Sequence, residues 1–105
     1  MHQNQLNTEQ IQQLLNPLII SGIYKNQVSA LNDIILEFIK NKLKAYKTII
    51  EKLELKYNID FNGFTIKIKN IASITEEDDW MDWKAALEMK EAWSKTLKSV
   101  MKNAN

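Results

Sequence analysis

The feature that most constrains this chain is a stretch from Gln27 to about Tyr57 that contains neither proline nor glycine. Within it, Ile39, Leu43, Tyr46, Ile50, Leu53 and Tyr57 are separated alternately by four and three residues. That is the seam of a helix packed lengthwise against another helix. Upstream, Leu31, Ile34, Ile35 and Phe38 widen the apolar face. A helix of roughly 31 residues runs about 46 Å at ~1.5 Å per residue. A chain of 105 residues covers such a helix only if a second one lies along it, from the same chain or from another copy.

The remaining punctuation is sparse. The only proline is Pro17, and the only glycines are Gly22 and Gly63. Residues 9–20 read as a helix with Ile11, Leu14, Leu15 and Leu18 on one face, capped by Thr8 or Asn7. Pro17 is expected to kink or break it, and Gly22 suits the left-handed position after a helix. Asn26 is placed to cap the long helix. Residues 59–71 fit two patterns. Phe64, Ile66 and Ile68 alternate as in a short strand over 64–69. Phe61, Phe64, Ile68 and Ile71 follow helical spacing with Asp60 as cap, and this reading is preferred although Gly63 weakens it. From Thr75, the expected N-cap, a helix continues through Trp80, Trp83, Leu87, Trp93 and Leu97, with acids in its first turn and lysines in its last, as the helix dipole favours.

The expected fold is therefore mainly α: an N-terminal helix pair, a long central helix and a C-terminal helix. Residues 1–58 form a dimerising and DNA-binding region in this reading, and residues 59–105 a partner-binding region. Hydrophobic content of 45 % and charged content of 26 % suit a folded chain. With no cysteine, disulfides and thiolate metal sites are excluded. Met1 to Thr8 lacks the basic-then-apolar order of a signal peptide, and no apolar run reaches the ~18 residues of a membrane span. A cytoplasmic protein without membrane contact is expected.

Net charge is +1, but residues 40–69 carry eight lysines against Glu51, Glu54 and Asp60, while residues 70–105 carry seven acids against five lysines. All fourteen basic residues are lysine, which lacks the bidentate fork that reads guanine edges. Lys40, Lys42, Lys44, Lys47, Lys52 and Lys56 form either a solvated helix face or a contact for nucleic-acid phosphates.

Catalytic chemistry is hard to assemble. The single histidine, His2, lies near the terminus, and there is neither a phosphate loop nor a histidine metal motif. Glu76, Glu77, Asp78, Asp79 and Asp82 could face a hard cation, but no Gly turn or EF-hand spacing accompanies them, and a solvated helix start is the better reading. No enzyme activity, cofactor or metal is expected. Trp80, Trp83 and Trp93 admit two roles: core residues, or anchors for a partner drawn in by the flanking acids. The docking role takes in Trp80, Trp83, Trp93, Asp78, Asp79, Asp82 and Met89.

Residues 20–40 resemble the ParD-like ribbon-helix-helix antitoxins of bacterial type II toxin–antitoxin pairs. The matching positions are Ile20-Ser21-Gly22-Ile23-Tyr24-Lys25-Asn26, then Ala30, Leu31, Ile34, Ile35, Phe38 and Ile39. The longer layout, with its helix ending at Lys56-Tyr57, its Phe61-to-Phe64 segment and Trp80-Met81-Asp82-Trp83-Lys84-Ala85-Ala86, is similar to small prokaryotic proteins associated with TumE-type toxins. The resemblance implies a homodimer, and the apolar face Leu31, Ile35 and Phe38, wider than the short first helix can cover, is expected to form it. The resemblance also implies an N-terminal ribbon on operator DNA, here through Gln3, Asn4 and Gln5, and a C-terminal extension that covers a cognate toxin. Two departures stand out: His2 to Asn7 has one apolar residue, Leu6, and no alternation, and Pro17 interrupts the first helix. The function expected is an antitoxin-like protein that neutralises a co-encoded toxin by occlusion. The alternatives are an autonomous DNA-binding regulator and a structural coiled-coil adaptor.

Overall fold

A computed structural model describes residues 7–103, which form four α-helices: α1 (Thr8–Ile20), α2 (Gln27–Tyr57), α3 (Phe61–Ile68) and α4 (Ile74–Asn103). The chain is mainly helical. Residues 64–69 hold no strand, because α3 takes Phe64 and Ile68 inward on a helical face. By packing, the chain divides into two compact units after Glu37, inside α2. The functional boundary drawn from the sequence, between 58 and 59, lies instead at the end of that helix.

The first unit holds α1 and the first turns of α2. Asn7 caps α1 in a reciprocal box with Gln10: the Gln10 N–H donates to Asn7 Oδ1 at 2.8 Å, and the Asn7 N–H donates to Gln10 Oε1 at 2.9 Å. Pro17 lies inside α1 without ending it. Its ring removes only the bond to the carbonyl of Gln13, an exposed residue whose oxygen water can satisfy. Gly22, at φ 84°, turns the chain, and its N–H donates to the Ile19 carbonyl at 3.0 Å. Asn26 caps α2 through the Ser29 N–H at 2.9 Å. The Tyr24 hydroxyl donates to the Asp33 carboxylate, and that bond holds the phenol above its ordinary pKa. Among the described residues of this unit, Leu15 and Ala30 are buried.

The second unit is built on the seam of α2. Ile39, Ile50 and Leu53 are buried, and Leu43, Tyr46 and Tyr57 are half-buried. The covering helix comes from the same chain. Phe38 meets Trp93, and Lys56 meets Asp79, so α4 runs antiparallel to α2 over this stretch. The core joins Ile50, Leu53, Phe64, Ile68, Trp83 and Ala86. Trp83 is its largest member and is 0 % exposed, with its ring 5.4 Å from Phe64, 5.6 Å from Phe61 and 6.4 Å from Tyr57 between centroids. Burying a side chain of this size is the main contribution any one residue makes to the unit.

Asp60 caps α3, accepting from the Gly63 N–H at 2.7 Å. A Cβ at Gly63 would lie 2.6 Å from Ile59 Cδ1 and 2.9 Å from Asp60 Oδ1. Glycine lets the Ile59 side chain and the capping carboxylate approach this closely. Asn58 and Asn70, at φ 54° and 68°, occupy the left-handed positions after α2 and α3. At α4 the cap is Ser73 and not Thr75. Ser73-Ile-Thr-Glu76 forms a capping box in which the Glu76 N–H donates to Ser73 Oγ at 3.1 Å and the Ser73 N–H to Glu76 Oε1 at 2.9 Å. Among the described residues no helix is long and apolar enough to cross a membrane.

Candidate functional site

The exposed side of the α2–α4 pair in the second unit holds the candidate site. On α2, Phe38, Lys42, Ala45 and Ile49 follow i, i+4, i+7, i+11; on α4, Asp82, Ala86, Met89 and Trp93 repeat the same spacing. Helical periodicity puts each set on one face. Two observations bring the faces together end to end. Phe38 and Trp93 meet edge to face, 5.7 Å between centroids and 72° between planes. At the other end, Tyr46, Ile49, Asp82, Ala85 and Ala86 line a shallow cavity of about 380 Å³. This side of the helix pair, hereafter the trough, carries the Phe38–Trp93 contact at one end, Met89 between, and the hollow beside Asp82 at the other.

Its side chains are partly uncovered. Phe38 is 53 % exposed, and Ile49 and Met89 are each 39 % exposed. Lys42 holds its ammonium 5.2 Å from the centre of the Phe38 ring, a cation–π contact that leaves the other parts of the ring open. The indole N–H of Trp93 is buried and finds no acceptor among the described residues.

The docking residues expected from the sequence separate into distinct roles. Asp78 and Asp82 are exposed and lie on the Met89 side of α4. Trp93 and Met89 belong to the trough. Trp83 must be corrected: it fills the core, and no partner reaches it without opening the unit. Trp80 is half-buried. Its Nε1 donates to Thr65 Oγ1 at 2.8 Å, its ring stacks on Phe61 at 5.7 Å, and Lys84 lies 5.5 Å over it. Asp79 is structural, accepting from Lys56 Nζ at 2.6 Å and from the Tyr57 hydroxyl. Those two bonds hold its carboxyl below the usual carboxylate range; the same bond to Asp79 raises Lys56, and burial followed by that bond raises Tyr57.

The dimerisation residues also divide. Leu31 and Ile35 lie in the first unit and are partly exposed, whereas Phe38 lies in the second, against Trp93. Gln3, Asn4 and Gln5 lie outside the described residues. Lys40, Lys44 and Lys47 point outward on one face of α2, but Lys42 is drawn to Phe38 and Lys56 to Asp79. Among the described residues no group of three or more His, Cys, Asp or Glu is placed to hold a metal ion. Reading by residue type missed Ile49 and Ala85, and assigned Phe38 to a different surface. The matched spacings on α2 and α4 were the signal that could have found Ile49 and placed Phe38; Ala85 lies outside them.

A second concavity, of about 810 Å³, opens where α3 meets the start of α4, lined by Ile66, Ile68, Ala72, Trp80 and Met81, with Lys69 on the α3 side and Glu77 on the α4 side. Comparison with protein-family models, curated proteins and solved structures finds no match for this chain.

Proposed function

We propose that this chain is a non-catalytic, cytoplasmic binding protein, antitoxin-like in its mode of action, that lays the α2–α4 trough over the active surface of a co-encoded toxin. The observation that carries this reading is the open Phe38–Trp93 pair at the head of an apolar trough. Aromatic side chains at the centre of a desolvated patch carry a large share of interface energy. Asp78 and Asp82 on the flanking face favour a basic partner, such as a nucleic-acid-cleaving toxin, and act mainly on the rate of encounter. Inhibition is by occlusion: the bound chain covers the toxin's active surface, and no bond is made or broken.

On the same reading operator DNA is contacted by Gln3, Asn4 and Gln5, and the chain works as a homodimer. The test is growth rescue. Cells expressing the protein encoded by the adjacent gene should stop growing, and co-expression of this chain should restore growth. Met89→Glu, at an exposed position in the trough, should fail to restore it at equal abundance. Full rescue by Met89→Glu would remove the trough from the mechanism.

A second reading is favoured by Lys40, Lys44 and Lys47 on one outward face of α2. It is a regulator that grips phosphates without a protein partner, and it requires affinity for promoter DNA that falls steeply with salt.

A further inference from the structure

We infer that the chain pairs with a second copy of itself through the groove between α3 and the first turns of α4, and not through Leu31, Ile35 and Phe38. Ile66 is 76 % exposed and Met81 56 %, and both line the groove. Ile74, 80 % exposed, lies two turns before Met81 on the same face of α4. These are among the most exposed large apolar side chains of the second unit, and they exceed Leu31 and Ile35 in exposure.

Charge selects the occupant. The α3 bank carries Lys69 and the α4 bank carries Glu77, both exposed. Neither joins an ion pair among the described residues. A strongly acidic partner is repelled by one bank and a strongly basic partner by the other. A two-fold axis lying along the groove, by contrast, sets the lysine bank of each copy against the acidic bank of its mate and joins the apolar floors. Two-fold pairing of this self-complementary kind is the commonest mode of homo-oligomer assembly. The groove lies on the Trp80–Met81 side of α4 and the trough on the Asp82–Met89 side, so this pairing does not depend on a partner docking in the trough.

The test is mass measurement by light scattering and sedimentation, with circular dichroism to verify folding. Wild type should be dimeric at tens of micromolar. Lys69→Glu and Glu77→Lys, each alone, should weaken the dimer about tenfold or more by placing like charges across the axis. Mixing the two single variants should restore pairing, because each new charge then faces its opposite. Leu31→Lys should leave the dimer intact. A folded wild-type monomer, a dimer lost only in Leu31→Lys, or mixed single variants that stay apart would each overturn the inference.

Discussion

Phe38 and Trp93 meet edge to face at the far end of the α2–α4 pair, their ring centroids 5.7 Å apart, yet more than half of Phe38 remains open to solvent. Fifteen residues separate Phe38 from Leu53, and over that distance the same two-helix packing passes from an open surface to a closed core. The closed end supplies stability. The open end is where another molecule can still remove apolar surface from water.

Trp93 provides the first check. Its indole N–H is buried and finds no acceptor among the described residues, so Trp93→Phe removes that donor and keeps an aromatic ring against Phe38. Thermal unfolding should be unchanged or shifted upward, since the deleted group costs about 1–3 kcal/mol where it stands. A clear drop in melting temperature would show that the donor is satisfied in solution.

Trp83 should behave in the opposite way. It is enclosed by Tyr57, Phe61 and Phe64, and Trp83→Ala leaves a cavity that costs about 3–5 kcal/mol. For a domain this small that is most of the available stability. The expected result is loss of a cooperative melting transition, read by circular dichroism.

The Lys56–Asp79–Tyr57 cluster gives a pH signature. The Asp79 pKa is depressed in the folded chain, so its contribution is complete above the ordinary carboxylate range and is lost as pH falls through the lowered value. Lys56 and Tyr57 are raised, so their contributions are complete below their ordinary values and lost only in strong alkali. Melting temperature should therefore be flat from mildly acidic to mildly alkaline pH and fall in acid. Asp79→Asn should lower the plateau slightly and flatten the acid limb. An acid limb identical to wild type would show that Asp79 is not paired in solution.

Gly63→Ala tests the close approach at the start of α3. Alanine favours a helix by about 1 kcal/mol over glycine, but crowding in a packed site costs ~1–3 kcal/mol. The new Cβ would press on Ile59 and on the capping oxygen of Asp60, so the net effect should be a modest fall in melting temperature. A rise would mean that Ile59 moves aside freely.

Periodicity made the helices legible before any coordinates. The four-and-three spacing from Ile39 to Tyr57 identified the buried seam, and Asp60 and Asn26 were readable as caps. Errors arose where two residues competed for one job. Ser73 and Thr75 both precede an acid by three positions, and only geometry shows that Ser73 completes the box with Glu76. The tryptophans could not be assigned from sequence because core and interface both favour large aromatics. Their fates depend on which side of α4 meets α2 and α3, a tertiary fact. The glycine at 63 read as a helix weakener because propensity is local, whereas its reason is the neighbouring Ile59 side chain.

Docking of a protein partner in the α2–α4 trough is read from the affinity of the adjacent gene's product for this chain. Isothermal titration should give a saturable complex with wild type. Met89→Glu, with an unchanged melting temperature, should bind roughly 30-fold more weakly, the equivalent of about 2 kcal/mol lost at the centre of an interface. Equal affinity for wild type and Met89→Glu would contradict the account.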